Sequence, residues 1–257
     1  MQNARLRQQC KPFTNLSNAY LLVSHGSRDP RPQVAIDQLA DRLIQHLETI
    51  STHKSPILVG TAQLELAAKP LHLQISDFAR KCTEVGITRI VMLPLFLIPG
   101  VHVMEDIPAE VILAKEKIGD LVELVVTPFL GADPNFTDLF GAYRLILPSQ
   151  SIILAHGSRK AGGNNVVEQL ANHLDLIAAY WSVAPSLADT VAKLIATGAT
   201  EIGILQYFLF AGGITDAIEK LVSELRVQYP QIQLSLGEPI GNSPELVGTI
   251  GRILESI

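Results

Sequence analysis

The stretch LLVSHGSRDP at residues 21–30 returns as IILAHGSRKA at residues 152–161. In each copy an apolar run, typical of a buried strand, breaks at His-Gly-Ser-Arg. The copies begin 131 residues apart in a chain of 257 residues. The sequence therefore predicts two copies of one folding unit.

Around each copy, short apolar runs alternate with segments of helical period. Strands are predicted at 20–24, 57–62, 88–95, 121–127, 151–155, 176–181, 201–206 and 232–236. Helices are predicted at 33–49, 66–82, 104–117, 134–144, 164–174, 186–197, 214–228 and 244–256. This alternation is typical of parallel βαβ units with right-handed crossovers.

We therefore expect an α/β fold of two duplicated, flavodoxin-like lobes, each a four-stranded parallel sheet flanked by helices, with a cleft between them. The expected organisation is a flexible leader over 1–17, an N-terminal lobe over 18–147 and a C-terminal lobe over 148–257. The C-terminal lobe is expected to lack a full set of metal ligands.

Composition and the absence of several motifs limit which classes of protein fit this sequence. A formal charge of −5 argues against a broad basic face for nucleic acid. The two cysteines, Cys10 and Cys82, lie far apart, which favours a reducing compartment and a cytoplasmic location. No run reaches about 18 apolar residues, so no membrane span is predicted. The P-loop, the dinucleotide-binding glycine motif, the nucleophile elbow and the HExxH zinc motif are missing from the sequence.

Three polar residues follow successive predicted strands of the first half. They are His25, Glu65 and His102, separated by 40 and 37 residues, about one βα repeat each. One repeat returns the chain to the same edge of a parallel sheet, so the three side chains can converge. Two imidazoles and a carboxylate suit a divalent ion such as Fe²⁺, Co²⁺, Ni²⁺ or Zn²⁺.

Each of these residues also has a simpler interpretation. His25 could cap the end of its strand, Glu65 could favour a helix N-terminus by its charge, and His102 could be a solvated loop residue. Asp106 is either a charge in the first turn of a helix or the group that orients His102.

The second half keeps only one of these residues. His156 matches His25, but Ser182 and Ile214 stand where the first half has Glu65 and His102. One active site, in the first lobe, is therefore expected. For His156 we favour a remnant of duplication over a contact with substrate.

The residues that follow each His-Gly pair could bind an anion. Ser27, Arg28 and Arg159 are candidates for binding carboxylates. The glycines either admit an anion to the backbone or serve only to turn the chain.

These motifs resemble the class II chelatases of tetrapyrrole synthesis, the sirohydrochlorin cobalto- and ferrochelatases of the CbiX/SirB family. The resemblance runs over essentially the whole chain after the leader. It is most specific at LLVSHGSRDP (21–30), QLELA (63–67) and LPLFLIPGVHVMEDIP (93–108). It identifies the chain as a long, two-lobe member.

The resemblance implies a lyase that inserts Fe²⁺ or Co²⁺ into sirohydrochlorin without ATP, for sirohaem or cobalamin synthesis. The metal is then a substrate, and no prosthetic cofactor is expected. His25, His102 and Glu65 would hold the metal, the two histidines sharing metal delivery and proton removal. The carboxylates of the anionic tetrapyrrole would be bound by Ser27, Arg28 and Arg159.

Two other functions fit the same residues. A non-catalytic carrier of tetrapyrrole or metal is the principal alternative. A metal-dependent hydrolase is disfavoured, because no further base follows a matching strand. Since two fused lobes already supply an internal twofold, a monomer is expected, with no nucleic-acid or membrane partner.

Overall fold

The computed structural model describes residues 18–50, 57–141, 144 and 147–257. It contains two four-stranded parallel sheets, ordered β2-β1-β3-β4 and β6-β5-β7-β8. The first sheet comprises β1 (Asn18–Ser24), β2 (Leu58–Gln63), β3 (Arg89–Pro94) and β4 (Glu123–Val126). The second comprises β5 (Ser151–Ala155), β6 (Ile177–Tyr180), β7 (Glu201–Tyr207) and β8 (Gln233–Leu236). The predicted two-lobe α/β fold is confirmed.

Helices connect the strands, because parallel neighbours require a crossover. They are α1 (Pro30–Ile50), α2 (Leu71–Glu84), α3 (Ile107–Ile118), α4 (Asn165–His173), α5 (Leu187–Ala196), α6 (Gly213–Gln228) and α7 (Pro244–Glu255). A π-helix covers His102–Asp106, and 3₁₀ helices cover Leu130–Ala132, Pro134–Phe140 and Ile240–Asn242. No helix in the described ranges is long and apolar enough to cross a membrane.

Two helix predictions need correction. The helix predicted over 66–82 begins only at Leu71. Leu66 has a left-handed φ of 62°, and Pro70 disfavours helical geometry in the residue before it. The helix predicted over 134–144 begins instead as a 3₁₀ helix, and residues 142 and 143 lie outside the described ranges. The predicted leader over 1–17 also lies outside them.

The lobes share one hydrophobic core. Side chains of α1, α7 and the 3₁₀ helix Pro134–Phe140 form a cluster that includes residues from both sheets. Phe136 and Phe140 pack edge-on within it, and Tyr207 lies against both rings. The Tyr207 hydroxyl donates a hydrogen bond of 3.1 Å to the Leu97 carbonyl of the first lobe. Apolar burial therefore fixes the lobes against each other.

The strand register brings three chain segments to one edge of the first sheet. Val23 of β1 pairs with Ala62 of β2 and with Pro94 of β3. The three strands therefore end at nearly the same level, and the residues that follow them lie at the same edge. The second sheet is built alike, with Ala155 opposite Tyr180 and Tyr207.

Candidate metal centre

Gly26 allows the loop after β2 to pass directly against His25. The backbone N–H of Glu65 donates to the His25 carbonyl at 2.9 Å. Gly26 has a φ of 98°, and a Cβ atom on it would lie 2.0 Å from the Glu65 carbonyl oxygen. Positive φ and close backbone approach both require glycine here. The structure thus gives this glycine a packing role.

His25 and His102 face each other across this edge. Their Nε2 atoms are 3.1 Å apart, and the rings are perpendicular with centroids 4.5 Å apart. His102 was expected in a loop, but it is the first residue of the π-helix His102–Asp106. The predicted convergence of the two imidazoles is present.

Asp106 fixes the orientation of His102. Its Oδ2 atom is 2.7 Å from the Nδ1 atom of His102. A carboxylate accepts hydrogen bonds, so Nδ1 carries a proton and Nε2 is the nitrogen that faces His25. Of the two roles considered for Asp106, this contact supports the orienting one.

The tautomer of His25 follows in the same way. Its Nδ1 atom is 3.2 Å from the Gly26 carbonyl, which can only accept. Without an ion, one Nε2 must donate a proton across the 3.1 Å contact. Once a metal ion displaces that proton, both Nε2 lone pairs point into the same space. With metal–nitrogen bonds of about 2.1 Å, a 3.1 Å separation corresponds to an N–metal–N angle of about 95°. The pair is suited to two adjacent coordination positions of one divalent ion.

Glu65 lies beside the pair, on the other side of His102. Its Oε1 atom is 4.0 Å from His102 Nδ1 rather than between the two Nε2 atoms, and its side chain is half exposed. Glu65 occupies the loop before α2, not the helix start that was predicted. Among the described residues, no group of three or more His, Cys, Asp or Glu is arranged to hold a metal ion. The ligand role of Glu65 stays a prediction.

A cavity of about 180 Å³ opens next to His25. Both lobes contribute to its wall, which makes it part of the interlobe cleft. Its lining includes His25, Ser27, Gln33, Gln63, Leu95, Leu209 and Phe210. The wall from the second lobe, Leu209 and Phe210, is apolar, so an apolar face of a ligand can pack there.

The candidate carboxylate-binding residues are placed at the rim. The Ser27 hydroxyl accepts a hydrogen bond of 3.0 Å from the Asp29 backbone N–H. Arg28 and Arg159 are exposed, and within the described ranges neither has a hydrogen bond or ion pair. Lys160 lies 3.8 Å from Glu105 of the opposite lobe. The roles of Ser27, Arg28 and Arg159 towards a ligand remain predictions.

Arg31 is a residue whose role the sequence did not reveal. It makes two hydrogen bonds to Asp216, at 2.9 and 2.6 Å, and also pairs with Asp29. The guanidinium lowers the pKa of both carboxyl groups below their usual range. Arg31 and Asp216 are 185 positions apart, so no local pattern signals the pair. It ties the start of α1 to the first turn of α6.

Comparisons with known proteins agree with this architecture. A model of the family CbiX matches residues 19–143 and 150–256. The chain is 28% identical over 247 residues to the sirohydrochlorin cobaltochelatase of Priestia megaterium, covering 88% of this chain and 75% of that protein. It is 24% identical over 232 residues to the sirohydrochlorin ferrochelatase of the same organism, covering 85% and 83%.

A solved structure shares the fold. SirB from Bacillus subtilis with Fe³⁺ superposes with a TM-score of 0.75 at 21% identity, covering 93% of this chain and 95% of that one. At this identity the likeness establishes the two-lobe fold alone.

Proposed function

Because this chain belongs to the CbiX family, we propose that it inserts a divalent metal ion, Fe²⁺ or Co²⁺, into sirohydrochlorin without ATP. Relatives named cobaltochelatase and ferrochelatase support this reaction class. The observation that carries the proposal is the pair of facing Nε2 atoms of His25 and His102, with His102 held by Asp106.

In the proposed reaction the metal is a substrate that the protein must hold and then release. Neutral imidazoles bind divalent ions of borderline softness more weakly than a set of thiolates does. They can therefore release the ion to the tetrapyrrole. His25 and His102 receive the ion through Nε2, and Asp106 keeps His102 in the tautomer that can bind it. Glu65, 4.0 Å from His102, serves as a third ligand or as a compensating charge.

Imidazole ligands do not select between iron and cobalt. The general affinity order places Fe²⁺ below Co²⁺, and both below Ni²⁺ and Cu²⁺. Selection would therefore come from geometry and from supply in the cell, for sirohaem or for cobalamin synthesis.

The tetrapyrrole is proposed to bind in the interlobe cleft. Leu209 and Phe210 provide an apolar wall beside His25, and Arg28 and Arg159 are exposed cations that can pair with substrate carboxylates. Because one chain supplies both walls, we propose a monomer as the active unit. A cytoplasmic location belongs to the same proposal.

The test follows the absorption spectrum of sirohydrochlorin anaerobically with Fe²⁺ or Co²⁺. The wild-type chain should accelerate conversion, His25→Ala should abolish the acceleration, and His173→Ala, an exposed residue of α4, should retain it. Circular dichroism would confirm that the variants are folded.

Two outcomes would contradict the proposal. Stoichiometric metal or tetrapyrrole binding without turnover would indicate a carrier. Full activity in both His25→Ala and His102→Ala would remove the metal centre from the mechanism.

A further inference from the structure

His156 is placed in the second lobe as His25 is placed in the first. It follows β5, and its carbonyl accepts a 2.9 Å hydrogen bond from the Ser182 N–H, as that of His25 does from Glu65. Gly157 next to it has a φ of 83°, as Gly26 has a positive φ. The duplicated backbone therefore places a second imidazole at the carboxyl edge of the second sheet, as it places His25 at that edge of the first.

The surroundings of this imidazole differ from those of His25. Ile214 replaces the facing histidine, and the hydroxyl of Ser182 donates to the Gly157 carbonyl at 3.2 Å. Over the described part of the chain, neither ring nitrogen of His156 has a hydrogen-bond or ion-pair partner. His156 as a residue remains accessible to solvent. A free imidazole nitrogen at this edge is available to a ligand.

His156 also lies on the side of the second lobe that faces the first-lobe site. Lys160, in the loop that follows His156, is 3.8 Å from Glu105 of the π-helix that begins at His102. Tyr207, beside the end of β5, donates a 3.1 Å hydrogen bond to the Leu97 carbonyl of the first lobe. Partial burial lowers the pKa of His156 below its ordinary value. Near neutral pH, His156 carries an unprotonated nitrogen.

The reaction needs a proton acceptor that the metal ligands cannot provide at the start. Each of two pyrrolic N–H bonds must break as its electron pair forms a nitrogen–metal bond, so two protons leave for each ion inserted. While the ion is still bound to Nε2 of His25 and His102, those lone pairs are occupied, and both Nδ1 atoms carry protons directed at oxygen.

Building on the proposed function, we propose that His156 is the catalytic proton acceptor of metal insertion, acting from the second lobe while His25 and His102 hold the ion. The first pyrrolic proton moves to the free ring nitrogen of His156 and passes from the exposed imidazolium to water. The second proton leaves in the same way, or through His25 once the ion has been released. No other reactant is required.

The experiment separates proton transfer from metal binding. His156→Ala and His156→Gln would be compared with wild type and His173→Ala in anaerobic single-turnover insertion of Co²⁺. We expect the single-turnover rate constant to fall about 10²-fold or more in both His156 variants, a typical contribution of a general base. Co²⁺ titration without tetrapyrrole should give the wild-type affinity within about twofold, because His156 is not one of the ligands.

Chemical rescue distinguishes a proton acceptor from a structural role. Added imidazole should restore turnover in His156→Ala, where it can enter the vacated space, and leave His173→Ala unchanged. It should restore less in His156→Gln, which fills that space. A wild-type rate constant in the His156 variants, a parallel loss of Co²⁺ affinity, or a rate loss without rescue would each overturn the inference. No turnover by the wild-type chain would instead overturn the proposed function, and this inference with it.

Discussion

Replacing Gly26 by alanine tests whether close backbone packing builds the metal centre. The new Cβ would lie 2.0 Å from the Glu65 carbonyl oxygen, whereas real Cβ atoms essentially never approach within 3.0 Å. The loop that carries Glu65 must therefore retreat from His25 by about 1 Å, and displacements of that size cost about 10²-fold in rate. We predict such a loss of metal insertion in Gly26→Ala.

The stability cost has two parts that a matched variant separates. Gly198 has a similar φ of 96°, but a Cβ there meets nothing within 4 Å. Gly198→Ala thus isolates the conformational strain, about 1–2 kcal/mol. Gly26→Ala adds the steric conflict, worth about a further 1–3 kcal/mol.

Urea denaturation at constant temperature, with insertion rates measured on the same samples, checks both values. The slope of free energy against denaturant should be unchanged, so that the midpoint reports stability. Equal destabilisation by the two variants, or wild-type turnover in Gly26→Ala, would refute the reasoning.

Three further predictions concern single side chains. Asp106→Ala should weaken Co²⁺ binding about 10- to 100-fold, because His102 loses its orienting acceptor; an unchanged titration curve would contradict this. Tyr207→Phe should lower the free energy of unfolding by about 1 kcal/mol through loss of its cross-lobe hydrogen bond, and an unshifted urea midpoint would argue against it. Burial raises the pKa of Cys82 to about 11, so in a Cys10→Ser variant a thiol reagent at pH 8 should label Cys82 only after unfolding. Since the buried thiol resists ionisation, native stability should also fall as pH rises from about 9 towards 11; rapid labelling of the folded variant would be the contrary result.

The positions at which strands end could be predicted, but not every helix boundary. The apolar runs placed His25, Glu65 and His102 correctly at one edge of a sheet. The range predicted for α2 from its helical period began too early in the chain. Periodicity does not reveal that Leu66 adopts a left-handed φ. The turn at His102 was assigned to a loop for a similar reason, since no familiar sequence pattern marks a π-helix.

Contacts between distant segments are not marked by any local sequence pattern. The contact between His102 and Asp106 is local, since the residues are four positions apart. The ion pair between Arg31 and Asp216 instead joins residues 185 positions apart. Gly26 illustrates the same point. Glycine is required at this position partly because the Glu65 carbonyl, in the loop after β2, lies close to it.

The sequence by itself determined that there are two lobes, that their strands are parallel, and which histidines follow those strands. These features follow from local periodicity and from a repeat, and both are properties of the chain's linear order. Only the tertiary structure decided that two Nε2 atoms meet at 3.1 Å, that Glu65 lies on the other side of His102, and that the loop after His156 faces the site from the second lobe. Distances and lone-pair directions depend on how distant segments pack, and packing is set by the whole core rather than by any one motif.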